Sequence, residues 1–150
     1  MSDNVLRLIP TDPQFVPDDA SAERARDHLA ELAPNADEVT QNMSEETQFV
    51  DPGANLERIS CPRCGQNLPM EWWQDRMDDA FKARFTVLAV TTPCCGADVS
   101  LNDLNYEWPA GFARFVLEAM NPGVADLATA EIATLAEIVG SPLRRIWAHY

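Results

Sequence analysis

Positive charge is what this chain has least of. Eleven Lys and Arg stand against 24 Asp and Glu in 150 residues, a net charge of −13. Nucleic-acid affinity rests largely on cationic contacts to phosphates, so so acidic a chain is a poor candidate for binding DNA or RNA. Histidine is scarcer still. With two in the whole sequence there is no His-rich open metal site, and no Ser-His-Asp order or phosphate-binding glycine loop accompanies them. No apolar run approaches the length of a membrane span, about 20 residues. The opening MSDNVLRLIPTDP lacks the basic segment and long apolar stretch of a secretory signal, which is read as an expectation of a chain that is not exported.

Cysteine is scarce too, and its placement is informative. All four fall within residues 61–95, a cluster that favours metal binding over disulfides in a reducing compartment, and the cytoplasm is the expected location. The remaining composition is that of a globular chain, 46% apolar and 23% charged, with eleven prolines that shorten its regular elements. The acidity is uneven. Residues 1–55 contain 12 acids and three Arg, a balance of −9, whereas 56–150 contain 12 acids and eight basic residues, a balance of −4.

Val5–Ile9 is a short apolar run that predicts a strand, stopped by Pro10. Ala22, Ala25, Leu29 and Leu32 recur at helical steps between Ala20 and Ala33, with Asp19 or Ser21 as the expected cap and Pro34 as the stop. Glu38–Thr40 and Thr47–Val50 read as an irregular second strand before the turn at Asp51-Pro52-Gly53. Gly111–Met120 predicts a third strand. Ile132, Leu135, Ala136 and Val139 give a second helix, with Thr129 as its expected N-cap and Gly140 as its C-cap, and Leu143–Tyr150 completes the series as a strand.

Two strand-helix-strand units in this order, over residues 5–50 and 111–150, resemble the ferredoxin-like split βαβ sandwich, an α+β fold. The organisation expected from it is one compact domain: a first half at 1–55, an insertion at 56–110 and a second half at 111–150. A competing reading takes Ala136, Gly140 and Ile146 as a helix-turn-helix with Arg144 and Arg145 in its second helix.

Within the insertion, Cys61-Pro62-Arg63-Cys64-Gly65 has the spacing from which two thiolates of one tight turn reach one metal. Thr92-Pro93-Cys94-Cys95-Gly96 aligns with it at proline, second cysteine and glycine, but Thr92 occupies the first ligand's place and Cys94 is displaced toward its neighbour. The pair resembles the two knuckles of a zinc ribbon, and the chain resembles small bacterial proteins that carry such a pair. The resemblance implies a structural zinc held by Cys61, Cys64, Cys94 and Cys95. Adjacent residues of an extended strand point to opposite faces, so both Cys94 and Cys95 bind one ion only if the chain turns sharply there. A three-cysteine site completed by His28, His149 or Asp98 is the alternative.

Between the knuckles, Met70–Phe81 predicts a helix whose packing side carries Trp73, Met77 and Phe81, leaving Trp72 as an outward contact, and Phe85–Thr91 predicts a strand. Asn102, Asp103, Asn105, Tyr106 and Trp108 form the densest mixture of amides, acids and aromatics, chemistry suited to recognising another protein. The functional expectation is a zinc-stabilised, non-enzymatic protein-interaction module, with a basic partner fitting its charge. A thiol or redox enzyme using Cys94 and Cys95 and a nucleic-acid-associated zinc-ribbon protein are the alternatives.

Overall fold

The computed structural model describes residues 3–150. Its framework comes from the two ends of the chain. β1 (Asn4–Pro10), α1 (Asp19–Leu32) and β2 (Glu38–Val50) form one unit, and β7 (Gly111–Met120), α3 (Thr129–Val139) and β8 (Leu143–His149) the other. The strands form one sheet in the order β2-β7-β1-β8, each antiparallel to its neighbours. Mixed α/β structure with an antiparallel sheet is therefore established. The segment read alternatively as the second helix of a helix-turn-helix is strand β8, paired with β1 from Asn4–His149 to Pro10–Leu143. Its β-favouring residues and the stop at Gly140, Ser141 and Pro142 prevail over the apolar spacing.

Alternation decides which face is buried. Leu6 and Leu8 of β1 share a face with Phe115, Leu117 and Ala119 of β7, and that face packs against Ala22, Ala25 and Leu29 of α1 and Leu135 and Val139 of α3. Each fully buried Leu or Phe contributes roughly 1.5–3 kcal/mol relative to exposure. Both helices are capped one residue away from expectation. Asp18, not Asp19 or Ser21, caps α1, its Oδ1 accepting from the Ser21 N–H at 2.7 Å. Thr129 is the first residue of α3, preceded at the cap by Ala128, whose N–H donates to the Glu131 carboxylate at 2.7 Å. Gly140 ends that helix in the left-handed conformation at φ 93°, donating to Ala136 O.

β2 is irregular, as its composition suggests, yet it is one strand. Met43 faces Phe115 and Gln48 faces Ala113, so five steps on β2 match two on β7. The extra residues bulge, and Arg114 Nε donates to Ser44 O there at 3.0 Å.

Residues between β2 and β7 fold around a second core. β3 (Arg58–Ser60) pairs antiparallel with β6 (Asn105–Glu107), and β4 (Ala89–Thr91) with β5 (Asp98–Ser100); α2 (Met70–Lys82) connects β3 to β4 in the chain, and a 3-10 turn spans Leu101–Asp103. Ile59, Leu68, Trp73, Phe85, Leu101 and Tyr106 fill this core, which Phe49 and Phe112 join to the sheet. Two local expectations change here. Phe81 is 69% exposed and Ala80 takes the inner position, because seven residues after Trp73 a helix returns to within about 20° of it and eight residues after it is about 80° away. The predicted strand 85–91 shrinks to Ala89–Thr91, since Arg84 and Phe85 turn through φ of 54° and 56° to seat the Phe85 ring inside.

Candidate metal centre

β3 and β4 each run into a tight turn, and the turns are built alike. In the first, Gly65 N–H donates to Cys61 O and Cys61 N–H to Gln66 O, both at 2.9 Å. In the second, Gly96 N–H donates to Thr92 O at 3.0 Å and Thr92 N–H to Ala97 O at 2.9 Å. Gly65 and Gly96 close them at φ of 78° and 68°, where a side chain would be strained. Thr92 thus occupies the position of Cys61, Cys95 that of Cys64, and Cys94 that of Arg63. The Thr92 side chain is buried and committed to the backbone, its hydroxyl accepting from Ala97 N–H at 3.2 Å.

These turns bring Cys61, Cys64, Cys94 and Cys95 together with all four sulfurs within 4.8 Å of one another. All four are free thiols. The close pairs run between the turns, Cys64 Sγ to Cys94 Sγ at 3.2 Å and Cys61 Sγ to Cys95 Sγ at 3.8 Å. A tetrahedron of thiolates with metal–sulfur bonds of about 2.3 Å has edges of about 3.8 Å, so the donor set fits one small ion. Cys61 is buried, Cys94 half-buried, and Cys64 and Cys95 exposed.

The electrostatics favour a cation. The Cys64 backbone N–H, joined by that of Arg63 and by the side chains of Cys94 and Thr92, lowers the Cys61 thiol to about 6 against the cost of burial. Cys64 is pushed up to about 12: the Gln66 N–H lowers it, but Cys94, burial, Cys61 and Cys95 outweigh that contribution. One thiolate forms readily and the next resists, a repulsion that a divalent ion removes.

The proposed fourth ligands stand outside this cluster. His28 on α1 lies 3.6 Å from Glu31, His149 Nδ1 is 2.8 Å from Asn4 Oδ1, and Asp98 accepts from the Thr91 hydroxyl at 3.1 Å. Among the described residues the cluster consists of the four cysteines alone.

The expected recognition surface divides. Asn102 and Tyr106 are buried. Asn102 Oδ1 accepts from Phe112 N–H at 2.9 Å and Arg144 Nη1 at 3.2 Å, and Arg144 Nη1 also reaches Asn102 O and Ala110 O, tying the second core to β8. Tyr106 donates to Leu101 O at 2.6 Å and accepts from Trp73 Nε1 at 3.3 Å; burial raises its hydroxyl pKa. These two are structural because their polar atoms satisfy the insertion's own backbone and core. Trp72 is half-buried against the second core, while Asp103, Asn105 and Trp108 remain exposed. A groove beside Trp108, lined also by Asn55, Asn121, Asp126 and Trp147, went unread in the sequence because its walls come from segments far apart in the chain. No protein family, curated protein or solved structure matches the chain.

Proposed function

We propose that the protein is a zinc-stabilised, non-enzymatic protein-interaction module of the cytoplasm that binds a basic partner. The observation that carries the metal reading is the gathering of four sulfurs within 4.8 Å of one another by two turns of the same design. An all-thiolate set suits a soft or borderline ion such as zinc and leaves no coordination position for water or substrate, so the ion holds structure. The order β2-β7-β1-β8, with α1 and α3 against one face, supports reading the framework as a ferredoxin-like split βαβ sandwich and the segment between β2 and β7 as an inserted zinc-ribbon-like unit. Four free thiols in contact suit a reducing compartment. The net charge of −13 supports a basic partner, and Trp108, Asn105 and Asp103 supply exposed aromatic and polar contacts.

Elemental analysis of protein purified without a metal-affinity tag, paired with thiol counting before and after chelation, tests the metal reading. One zinc per chain and four thiols released together is the expected result. Iron in its place overturns the choice of ion. Absence of any metal, or two fast-reacting thiols in the metal-loaded protein, overturns the structural site and brings thiol chemistry at Cys94 and Cys95 forward.

A further inference from the structure

The groove beside Trp108 has a volume of about 630 Å3 and draws its walls from both parts of the molecule. Trp108 comes from the segment between β6 and β7, Trp147 from β8, Asn121 and Asp126 from the β7–α3 connection, and Asn55 from the segment after β2. Trp108 is 46% exposed, so its ring is accessible to a ligand in the groove.

The polar atoms around the two indoles are fixed in place with capacity to spare. Asp126 Oδ1 accepts from Leu127 N–H at 2.8 Å, Arg145 Nη1 at 2.9 Å and Trp147 Nε1 at 3.2 Å, which leaves the second carboxylate oxygen for a donor from outside. Those bonds hold the Asp126 carboxyl below the usual carboxylate range despite the opposing effect of partial burial. Asn55 Nδ2 donates to Trp147 O at 3.1 Å, keeping its own amide oxygen as an acceptor. Behind the groove wall, Asn121 Nδ2 donates to Asp3 Oδ1 at 3.0 Å and Asp37 Oδ2 at 2.8 Å. Asp126 is thus the carboxylate that lines the groove, beside the imidazole of His149; Asp3 and Asp37 are held by the Asn121 amide, and the Arg145 guanidinium is already paired with Asp126.

The free oxygen of Asp126 and the chain's net charge of −13 disfavour a phosphate or carboxylate ligand, whereas a cation gains from that carboxylate and from the two indoles of the lining. Tryptophan gives the strongest cation–π attraction of the aromatic side chains. A guanidinium is planar, so it stacks on an indole while its edge donates to a carboxylate and an amide oxygen; a lysine ammonium is a compact, more strongly hydrated point charge without that planar match. We propose that this groove is the docking site for an arginine side chain of the basic partner, stacked on Trp108 and hydrogen-bonded to Asp126. The proposal rests on the reading of the protein as a module for a basic partner and assigns that partner's anchor.

The test uses the full, metal-loaded chain and the peptide acetyl-Gly-Arg-Gly-Arg-Gly-amide, followed by tryptophan fluorescence and by amide chemical shifts. Its citrulline counterpart has the same shape without the charge. Binding of the arginine peptide is expected, with shifts centred on residues 121–126 and 147, about tenfold weaker binding of the citrulline peptide, and a loss of about fivefold or more in Trp108→Ala. Trp108→Phe should recover part of that loss. Trp108 is exposed, so unchanged far-ultraviolet circular dichroism and metal content are expected in both variants. If the arginine peptide binds wild type and Trp108→Ala equally, the basic partner stands and the groove assignment falls. Equal affinity for the citrulline peptide overturns cation recognition. If the arginine peptide does not bind at all, the groove and the basic-partner reading fall together.

Discussion

At the scale of single residues, the thiol of Cys61 makes a pH-dependent contribution whose sign follows from its surroundings. Its pKa falls from 9.0 to about 6 in the folded chain, chiefly through the Cys64 backbone N–H. The stabilisation is therefore fully present above about pH 9 and is lost as the pH falls through about 6. Cys64, raised from 9.0 to about 12, acts in the opposite sense: its contribution is present below about pH 9 and lost as the pH rises through about 12. Metal-free protein is accordingly expected to gain thermal stability from pH 6 toward 9 and to lose it in stronger alkali. Thiolate absorbance near 240 nm should show the first ionisation around pH 6; a single step near 9 would contradict the arrangement. The cysteines were readable from spacing and turn residues because a metal site concentrates its chemistry in short motifs. Tyr106 and Asn102 were not, since a polar side chain reads the same whether it faces water or caps a neighbour's backbone.

At the scale of elements, the junction between the second core and the sheet is the place where small changes matter. A Cβ added to Gly111, the first residue of β7, would lie 2.7 Å from Arg144 Nη1, 2.8 Å from Ile9 Cδ1 and 3.1 Å from Asn102 Oδ1. Ile9 is fully buried, and Arg144 Nη1 is held by Asn102 O, Asn102 Oδ1 and Ala110 O, so neither yields freely. Gly111→Ala is expected to destabilise by about 1–3 kcal/mol, measured as a lower denaturant midpoint with unchanged slope. The three helices were legible in the sequence from apolar residues at three- and four-residue steps, and β1, β7 and β8 from runs of apolar and β-favouring residues, whereas β2 was legible only at its two ends because its middle, Gln41–Glu46, has no apolar alternation. β3, β4, β5 and β6 have three residues each, too few to display a period, and they exist because the turns and the second core hold them. Nothing local in Phe85 announces its φ of 56°; the ring's place in that core dictates it.

At the scale of the whole molecule, stability is divided among three apolar clusters, one under the helices, one beside the cysteines and a smaller one of Ile9, Val50, Ala113 and Ile146. Only the second would depend on an ion held by the cysteines, for Cys61 belongs to its packing and Cys94 packs against it. Chelation is expected to reduce amide-exchange protection around Ile59, Leu68 and Leu101 without abolishing it, while protection is unchanged at Leu6, Leu8 and Leu117. Uniform loss across both sets would show that the clusters unfold as one unit. Such a division cannot be read from composition, because it follows from which segments the sheet order brings together.

The pairing of β3 with β6 has a consequence for chain architecture. Ser60 stands directly opposite Asn105, so the point where the chain leaves for the cysteine turns adjoins the point where it returns. Opposed residues of an antiparallel pair are about 4.5–5.5 Å apart, a gap that a two-residue turn bridges. In topological terms, residues 61–104 are an enlarged loop on one hairpin. They could be excised and replaced by a short turn, or exchanged for another module, without rethreading the sheet, provided that Phe49, Ile59, Tyr106 and Phe112, which would lose their cover, are made polar and that Arg144 and the Phe112 N–H receive a substitute for Asn102.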